Sequence, residues 1–589
     1  MKPLFHLNKY LLKYKNHLLL GIVFVTISVI FRVFQARFVG DSFDTIETLL
    51  SNASTELELS NLKTALLNYG LMIIGAAILQ GAFMFLMRQS IIVMSRHIEY
   101  DLKNEVFDQY QKLSLAFYKR NNTGDLMNRI SEDVGRVRMY IGPAIMYTIN
   151  VAILTTIIIG MMVNESLELT LLVLIPLPVL AYAVYRVSDL INKRSTVVQE
   201  QLSVLSTFTQ ETFSGIRVLK AYTKRAIWND NYAKESLKYH DKNKALYTIN
   251  ALFFPLMIFL IGISVLLVIF VGGKLVIAGE ITTGVIAEFI IYVNMLTWPI
   301  ASIGWVTSII QRAAASQTRI NEFLKIEPDI VNSSLEPSSI KGNIEFKNVS
   351  FTYPDSGIKA LQDVSFSIET GKTLAIVGKT GSGKSTIANL IGRLYDVTGG
   401  EILIDKSEIS SLNLNDLRKN IGYVPQEGFL FSETIKSNIA FGQEELDEEE
   451  IIEAARNARV HDNIMSFPKG YDTKVGERGV TLSGGQKQRV SIARAILGNP
   501  NVLIFDDCLS AVDTETEEHI LQNLKKVSKE TTTLIISHRV SSVKHADSII
   551  VLKDGEIIET GDHDKLVELD GYYADLYKKQ LLETIEKVA

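Results

Sequence analysis

The chain has 589 residues, too many for one ordinary domain and enough for a large core. A net charge of −5 gives no global sign of nucleic-acid binding, and the single cysteine, Cys508, excludes an internal disulfide framework and fits a reduced cytosolic compartment for its half of the chain. The hydrophobic content of 47 % averages two unlike halves: residues up to about 320 carry long apolar runs, and the remainder reads as a soluble α/β domain.

Lys2, Lys9, Lys13 and Lys15 precede the first apolar run, with no small-residue cleavage pattern, so a removable signal peptide is not expected. Residues 4–16, LFHLNKYLLKYKN, fit either a helix lying along the inner membrane interface or a solvated helix start. A membrane-spanning helix needs roughly 20 mostly apolar residues. Six segments qualify, at 18–40, 65–92, 140–163, 167–187, 248–273 and 284–310. LMIIGAAILQGAFMFLM at 71–87 and FFPLMIFLIGISVLLVIFVGG at 253–273 are the clearest.

Lys and Arg in the connections set the orientation. The segment 41–62 has neither, but carries Asp41, Asp44, Glu47, Glu56 and Glu58, and the turn Asn164-Glu165-Ser166 also lacks them. By contrast, 95–139 holds Arg96, Lys103, Lys112, Lys119, Arg120, Arg129, Arg136 and Arg138, and 188–247 holds Lys193, Arg194, Arg217, Lys220, Lys224 and Arg225. These two connections and both termini are therefore expected in the cytoplasm. Both exceed ordinary loops and show helical periodicity, so the spans should continue as helices about 30 Å beyond the bilayer. Within them, Thr123–Arg129 and Glu211–Arg217 each combine a glycine with polar and apolar residues suited to a short transverse helix.

Ionisable residues inside a span are candidates for function. Arg37 and Arg88 lie near interfaces and can snorkel, whereas Arg32 and Glu288 lie deeper, where they would pair or line a pathway. A Glu288 in the lining would favour cationic amphiphiles. Phe289, Tyr292 and Trp298 fit an aromatic lining, lipid contact or helix packing.

The pattern then changes. A Ser-, Pro- and Asn-rich linker at 326–343 separates a domain at 1–325 from one at 344–589. IEFKNVSFTYP and VSFSIETGKTLAIVG are strand-like, and the second feeds the loop GKTGSGKST. Strand, Gly-rich loop and helix start form the context of a genuine phosphate site. Gly378, Gly381 and Gly383 let backbone N–H groups curl around phosphates, with Lys379, Thr380, Ser382 and Thr386 completing the loop. Lys384 supplies a charge to the β- and γ-phosphates, and Ser385 a hydroxyl to Mg²⁺. NVLIFD at 501–506 is a buried-strand pattern ending in a carboxylate, Asp506.

About a hundred residues after the P-loop comes Leu482-Ser483-Gly484-Gly485-Gln486. In this order and spacing the two motifs resemble the ATP-binding cassette (ABC) proteins, and the whole chain resembles an ABC exporter half-transporter. The resemblance implies a membrane α-helical bundle of six transmembrane helices fused to an α/β P-loop NTPase cassette, with ATP and Mg²⁺ as ligands. It also implies a dimer, because Ser483, Gly484, Gly485 and Gln486 of one cassette close over ATP held by another. Tyr353 matches the aromatic that stacks on adenine. Gln426 matches the glutamine that contacts Mg²⁺ and the attacking water, Asp506 the carboxylate that holds Mg²⁺, and His538 the switch histidine at the γ-phosphate. Ser510-Ala511-Val512-Asp513 matches the loop that communicates across the cassette dimer. Gly476-Glu477-Arg478-Gly479 matches the exporter loop that touches the coupling helices, for which the two transverse segments are the candidates.

Asp507 departs from the pattern, because active cassettes carry Glu there to polarise the attacking water. Charge and intrinsic pKa are similar, but the carboxylate is one methylene shorter. A displacement of about 1 Å in a catalytic constellation can cost about 100-fold. The departure resembles one half of bacterial heterodimeric multidrug ABC exporters, with a weak ATP site on this chain's own motifs and a competent one on its partner's. The expected protein is therefore a multi-pass bacterial cell-membrane exporter of amphipathic compounds, with its cassette in the cytoplasm, paired with a homologous half-transporter. The alternatives are a homodimeric lipid or peptide exporter and, in another class, an ATP-gated channel or regulatory assembly.

Overall fold

The apolar runs of the first half lack strand alternation and fold as long helices. The computed structural model describes residues 2–52, 56–443, 447–476, 482–509, 514–527 and 530–588. Its long helices are α1 (Lys15–Asn52), α2 (Glu56–Lys112), α4 (Thr123–Glu165), α5 (Leu167–Ser214), α7 (Arg225–Ile277) and α8 (Thr283–Leu324), with short α3 (Leu115–Arg120) and α6 (Ile216–Ala221) between them. Among the described residues, six helices are long and apolar enough to cross a membrane. The 57 residues of α2 and the 53 of α7 reach about 80 Å, far beyond the ~30 Å of a hydrocarbon core.

Two compact units emerge, one of residues 1–110 and 124–325, the other of 111–123 and 326–589. In the first, α5 packs along α7, and α1 along α8. Gly40 and Gly284 let α1 and α8 touch: a Cβ on either would strike the other's carbonyl oxygen. There the Asp44 carboxylate accepts from the Gly284 N–H at 2.6 Å and from Thr282 Oγ1 at 2.7 Å, placing negative charge at the α8 N-terminus.

The short transverse helices differ from the expected positions. Thr123 and Gly124 begin the long helix α4, and the separate short helix is α3, just before them. Gly215 ends α5 instead of sitting inside a transverse helix, so the second short helix begins at Ile216. In both places the glycine marks a junction, as its low helix propensity favours.

The second unit contains β1 (Ile344–Thr352), β2 (Lys359–Ile368), β4 (Gly399–Ile404) and β5 (Ser407–Glu408) in an antiparallel sheet ordered β2-β1-β4-β5. A second sheet is ordered β10-β9-β3-β8-β7-β6, from β3 (Thr373–Val377), β6 (Ile421–Val424), β7 (Val502–Asp506), β8 (Thr532–Ile536), β9 (Ser548–Lys553) and β10 (Glu556–Gly561). It is parallel from β9 through to β6. Period-two alternation divides its side chains between two cores: Leu374 and Ile376 go to one, Ala375 and Val377 to the other. Every residue of β7 is buried, as expected of a strand covered on both faces.

Candidate functional site

The site forms where β3, β7 and β8 end. The loop 378–383 leaves β3 and enters α9 (Lys384–Ile391). Its glycines answer to geometry: Gly381 and Gly383 have φ of +86° and +101°, and a Cβ on Gly383 would strike the Ala360 carbonyl. Lys384 Nζ donates to the Gly378 and Lys379 carbonyls, each at 2.8 Å. Burial lowers the pKa of this ammonium, and Asp507 and Asp506 partly offset the effect. The Ser382 hydroxyl is buried without a hydrogen-bond partner, which suits a loop whose polar groups face an anion.

Ser385 Oγ donates to Asp506 Oδ1 at 2.8 Å, bringing together two oxygen ligands of the kind Mg²⁺ takes. Burial raises the Asp506 pKa; the Ser385 bond works against the rise and the Asp507 charge adds to it. A hard cation would relieve that desolvation, so the residues fit Mg²⁺.

Asp507 continues from β7 in a left-handed conformation, φ 48°, which Asp tolerates better than most residues. Its N–H donates to the Ile536 carbonyl at 2.8 Å. Its carboxylate lies 2.8 Å from His538 Nδ1 through Oδ1 and accepts from Gln426 Nε2 at 3.4 Å through Oδ2. Tyr353 OH lies 3.0 Å from Thr386 Oγ1, and its ring packs edge-on to Phe351 and Tyr395. The structure thus gathers Tyr353, the loop from Gly378 to Thr386, Gln426, Asp506, Asp507 and His538 around one locus.

Ser483, Gly484, Gly485 and Gln486 stand apart. They open α10 (Gly484–Ile496), where Ser483 N–H donates to Gln486 Oε1 at 2.9 Å and Gln486 N–H to Ser483 Oγ at 3.3 Å. Among the described residues, no hydrogen bond joins them to the loop 378–386. This capping box fixes the helix start and leaves its remaining N–H groups facing outward. Ser510-Ala511-Val512-Asp513 and the Glu477-Arg478-Gly479 part of the preceding loop lie outside the described residues.

Sequence reasoning missed two supports. Gln488, two residues past the signature, donates to the Gln426 carbonyl at 3.0 Å. Lys119 of α3 places its ammonium 4.6 Å above the Tyr353 ring. Helical register from Ser483 could have flagged Gln488; nothing local flags Lys119. In the membrane helices, Glu288 is buried and hydrogen-bonded by Tyr292, so it pairs with neither Arg32 nor a pathway. Phe289 and Tyr292 are fully buried packing residues, whereas Trp298 is exposed.

Residues 18–300 match the family described as the ABC transporter transmembrane region, and residues 361–510 match the ABC transporter family. The ATP-dependent lipid A-core flippase of Syntrophus aciditrophicus is 38 % identical over 83 % of this chain and 82 % of its own. The multidrug resistance-like ATP-binding protein MdlA of Escherichia coli is 38 % identical over 83 % of each chain. A solved bacterial Atm1-family ABC exporter with ATP bound aligns with a TM-score of 0.76 and 26 % identity, over 98 % of both chains.

Proposed function

Since this chain belongs to the ABC transporters, as an exporter half-transporter, we propose that it moves amphipathic compounds outward as one of two unequal subunits. ABC exporters act as dimers in a membrane and are driven by their ATPase cassettes, so a second half-transporter is needed. Likeness to the multidrug resistance-like relative supports the class of cargo.

On this chain, Tyr353 stacks on adenine, the Gly378–Thr386 loop cradles the phosphates and Lys384 supplies charge to them. Ser385, Asp506 and Gln426 hold Mg²⁺, which when bound neutralises charge on the phosphate oxygens. His538 faces the γ-phosphate, and Asp507 positions the attacking water less well than a longer carboxylate would. Ser483, Gly484, Gly485 and Gln486 complete the ATP site of the partner.

One observation supports this reading: the Asp507 carboxylate, one methylene shorter than that of Glu, is engaged by both His538 and Gln426. Purifying the natural complex and measuring its ATPase tests it. The expected result is two different half-transporters, the other bearing Glu at the equivalent of Asp507. A self-sufficient, fast-hydrolysing homodimer overturns it. Likeness to the lipid A-core flippase favours a second reading, a homodimeric lipid exporter, for which lipid translocation by this chain alone is the test.

A further inference from the structure

Helices α4, α5, α7 and α8 line an open cavity of about 630 Å³, within the size range of drug-like ligand sites. Phe253, Trp298, Trp305 and Tyr147 give it an aromatic wall, with Tyr147 and Trp305 edge to face at 5.3 Å. Asn192 and Asn250 add uncharged polar groups, and Arg312 is the one charge among the described lining residues. Among the described lining residues there is no carboxylate.

Arg312 contrasts with the ion-paired arginines of α4 and α8. Arg319, two turns further along α8, is paired with Asp133, while Arg129 and Arg136 pair with Asp125 and Glu132. Arg312 has only the Ser308 hydroxyl, at 2.7 Å, and no carboxylate within ion-pair distance among the described residues. A guanidinium opening onto an acid-free, aromatic cavity is a receptor for an anionic head. The fourteen-residue step from Trp298 to Arg312 covers about 21 Å of helix, room for a head at one end and an apolar body along the rest. Arg312 sits toward the end of α8 that leads to the linker.

We propose that this cavity selects anionic amphiphiles: a carboxylate, sulfonate or phosphate head on Arg312, and an aromatic or acyl body against Trp298, Trp305 and Phe253. The proposal rests on the exporter reading and reverses the cation preference that a lining Glu288 would have conferred. Bilayer lipids and soluble amphiphiles share this chemistry.

The test uses the full assembly in zwitterionic nanodiscs. Trp298 and Trp305 are two of this chain's three tryptophans, so with Trp228→Phe here and the partner subunit's tryptophans replaced by Phe, energy transfer to a dansyl probe reports binding at this cavity. Dansylamino-undecanoic acid is expected to bind about tenfold more tightly than its methyl ester, the scale of one hydrogen bond to a charged group. Arg312→Gln should erase that preference and Arg312→Lys should keep part of it. Equal affinity of acid and ester in the unmutated protein, which needs no variant to fold, overturns the proposal; so does a preference that survives Arg312→Gln. Displacement of the probe by phosphatidylglycerol in the disc marks a lipid occupant, and displacement by a soluble naphthoic acid marks a free one. Displacement by neither also overturns it. In sealed proteoliposomes of the same assembly, ATP-driven accumulation without acid preference would sink this inference and spare the exporter reading, whereas acid-selective binding without ATP-driven accumulation would do the reverse.

Discussion

At the scale of single residues, the proposed unequal pair makes Asp507 the group that limits turnover at this chain's own site. Its backbone is pinned by the bond to the Ile536 carbonyl, and its two oxygens face His538 and Gln426. Lengthening the side chain by one methylene lets the carboxylate advance toward a water in front of the γ-phosphate while the backbone stays fixed. Asp507→Glu is therefore expected to raise the assembly's ATPase rate. Asp507→Asn keeps the length and should lower the rate far less than loss of the partner's equivalent Glu. Steady-state ATPase assays of the three variants check this; comparable losses for the two neutralised carboxylates would contradict the assignment. ATP affinity should stay within a few-fold in all of them, because Tyr353, Lys384, Ser385 and Asp506 are untouched.

At the scale of elements, the start of α8 depends on a carboxylate from another helix. Asp44 on α1 accepts from the Gly284 N–H and from Thr282, satisfying one of the donors that a helix N-terminus leaves open. Asp44→Ala should destabilise this junction by about 1 kcal/mol, the usual cost of losing a helix cap. A lowered thermal midpoint of the purified assembly, partly restored by Asp44→Asn, is the expected outcome; an unchanged midpoint would mean the cap contributes nothing. Such contacts bound what sequence could tell. The P-loop, the buried strand β7 and the six long helices were readable because their signals are local: a glycine pattern, an apolar run ending in Asp506, a length. The transverse helices were misplaced by a few residues, since a glycine weakens a helix without saying whether it lies inside or at the end. Glu288 looked like a pathway residue until its partner Tyr292, one turn away on a buried face, was known. The Asp44 cap, Lys119 above Tyr353 and the isolation of Arg312 each depend on residues far apart in the chain, which no local pattern records.

At the scale of the whole molecule, the placement of the motifs makes a subunit-level test possible. This chain holds its P-loop residues and its LSGGQ residues at separate places, and under the proposed reading they would serve different ATP molecules in a dimer. If the two sites were equal, disabling either motif on this chain would damage the pair in the same way. If this chain's own site is the weak one, the two substitutions must diverge. Ser483→Ala removes a hydroxyl from the partner's competent site and should lower the assembly's ATPase by about a hundredfold, the scale for losing one transition-state donor. Lys384→Ala disables a site that contributes little turnover, so most hydrolysis should persist while ATP binding to this chain is lost. Photo-crosslinking with an azido-ATP analogue would show that loss on this subunit alone. Equal collapse of ATPase activity in both variants would mean that both sites fire, and the unequal pair would give way to a symmetric one.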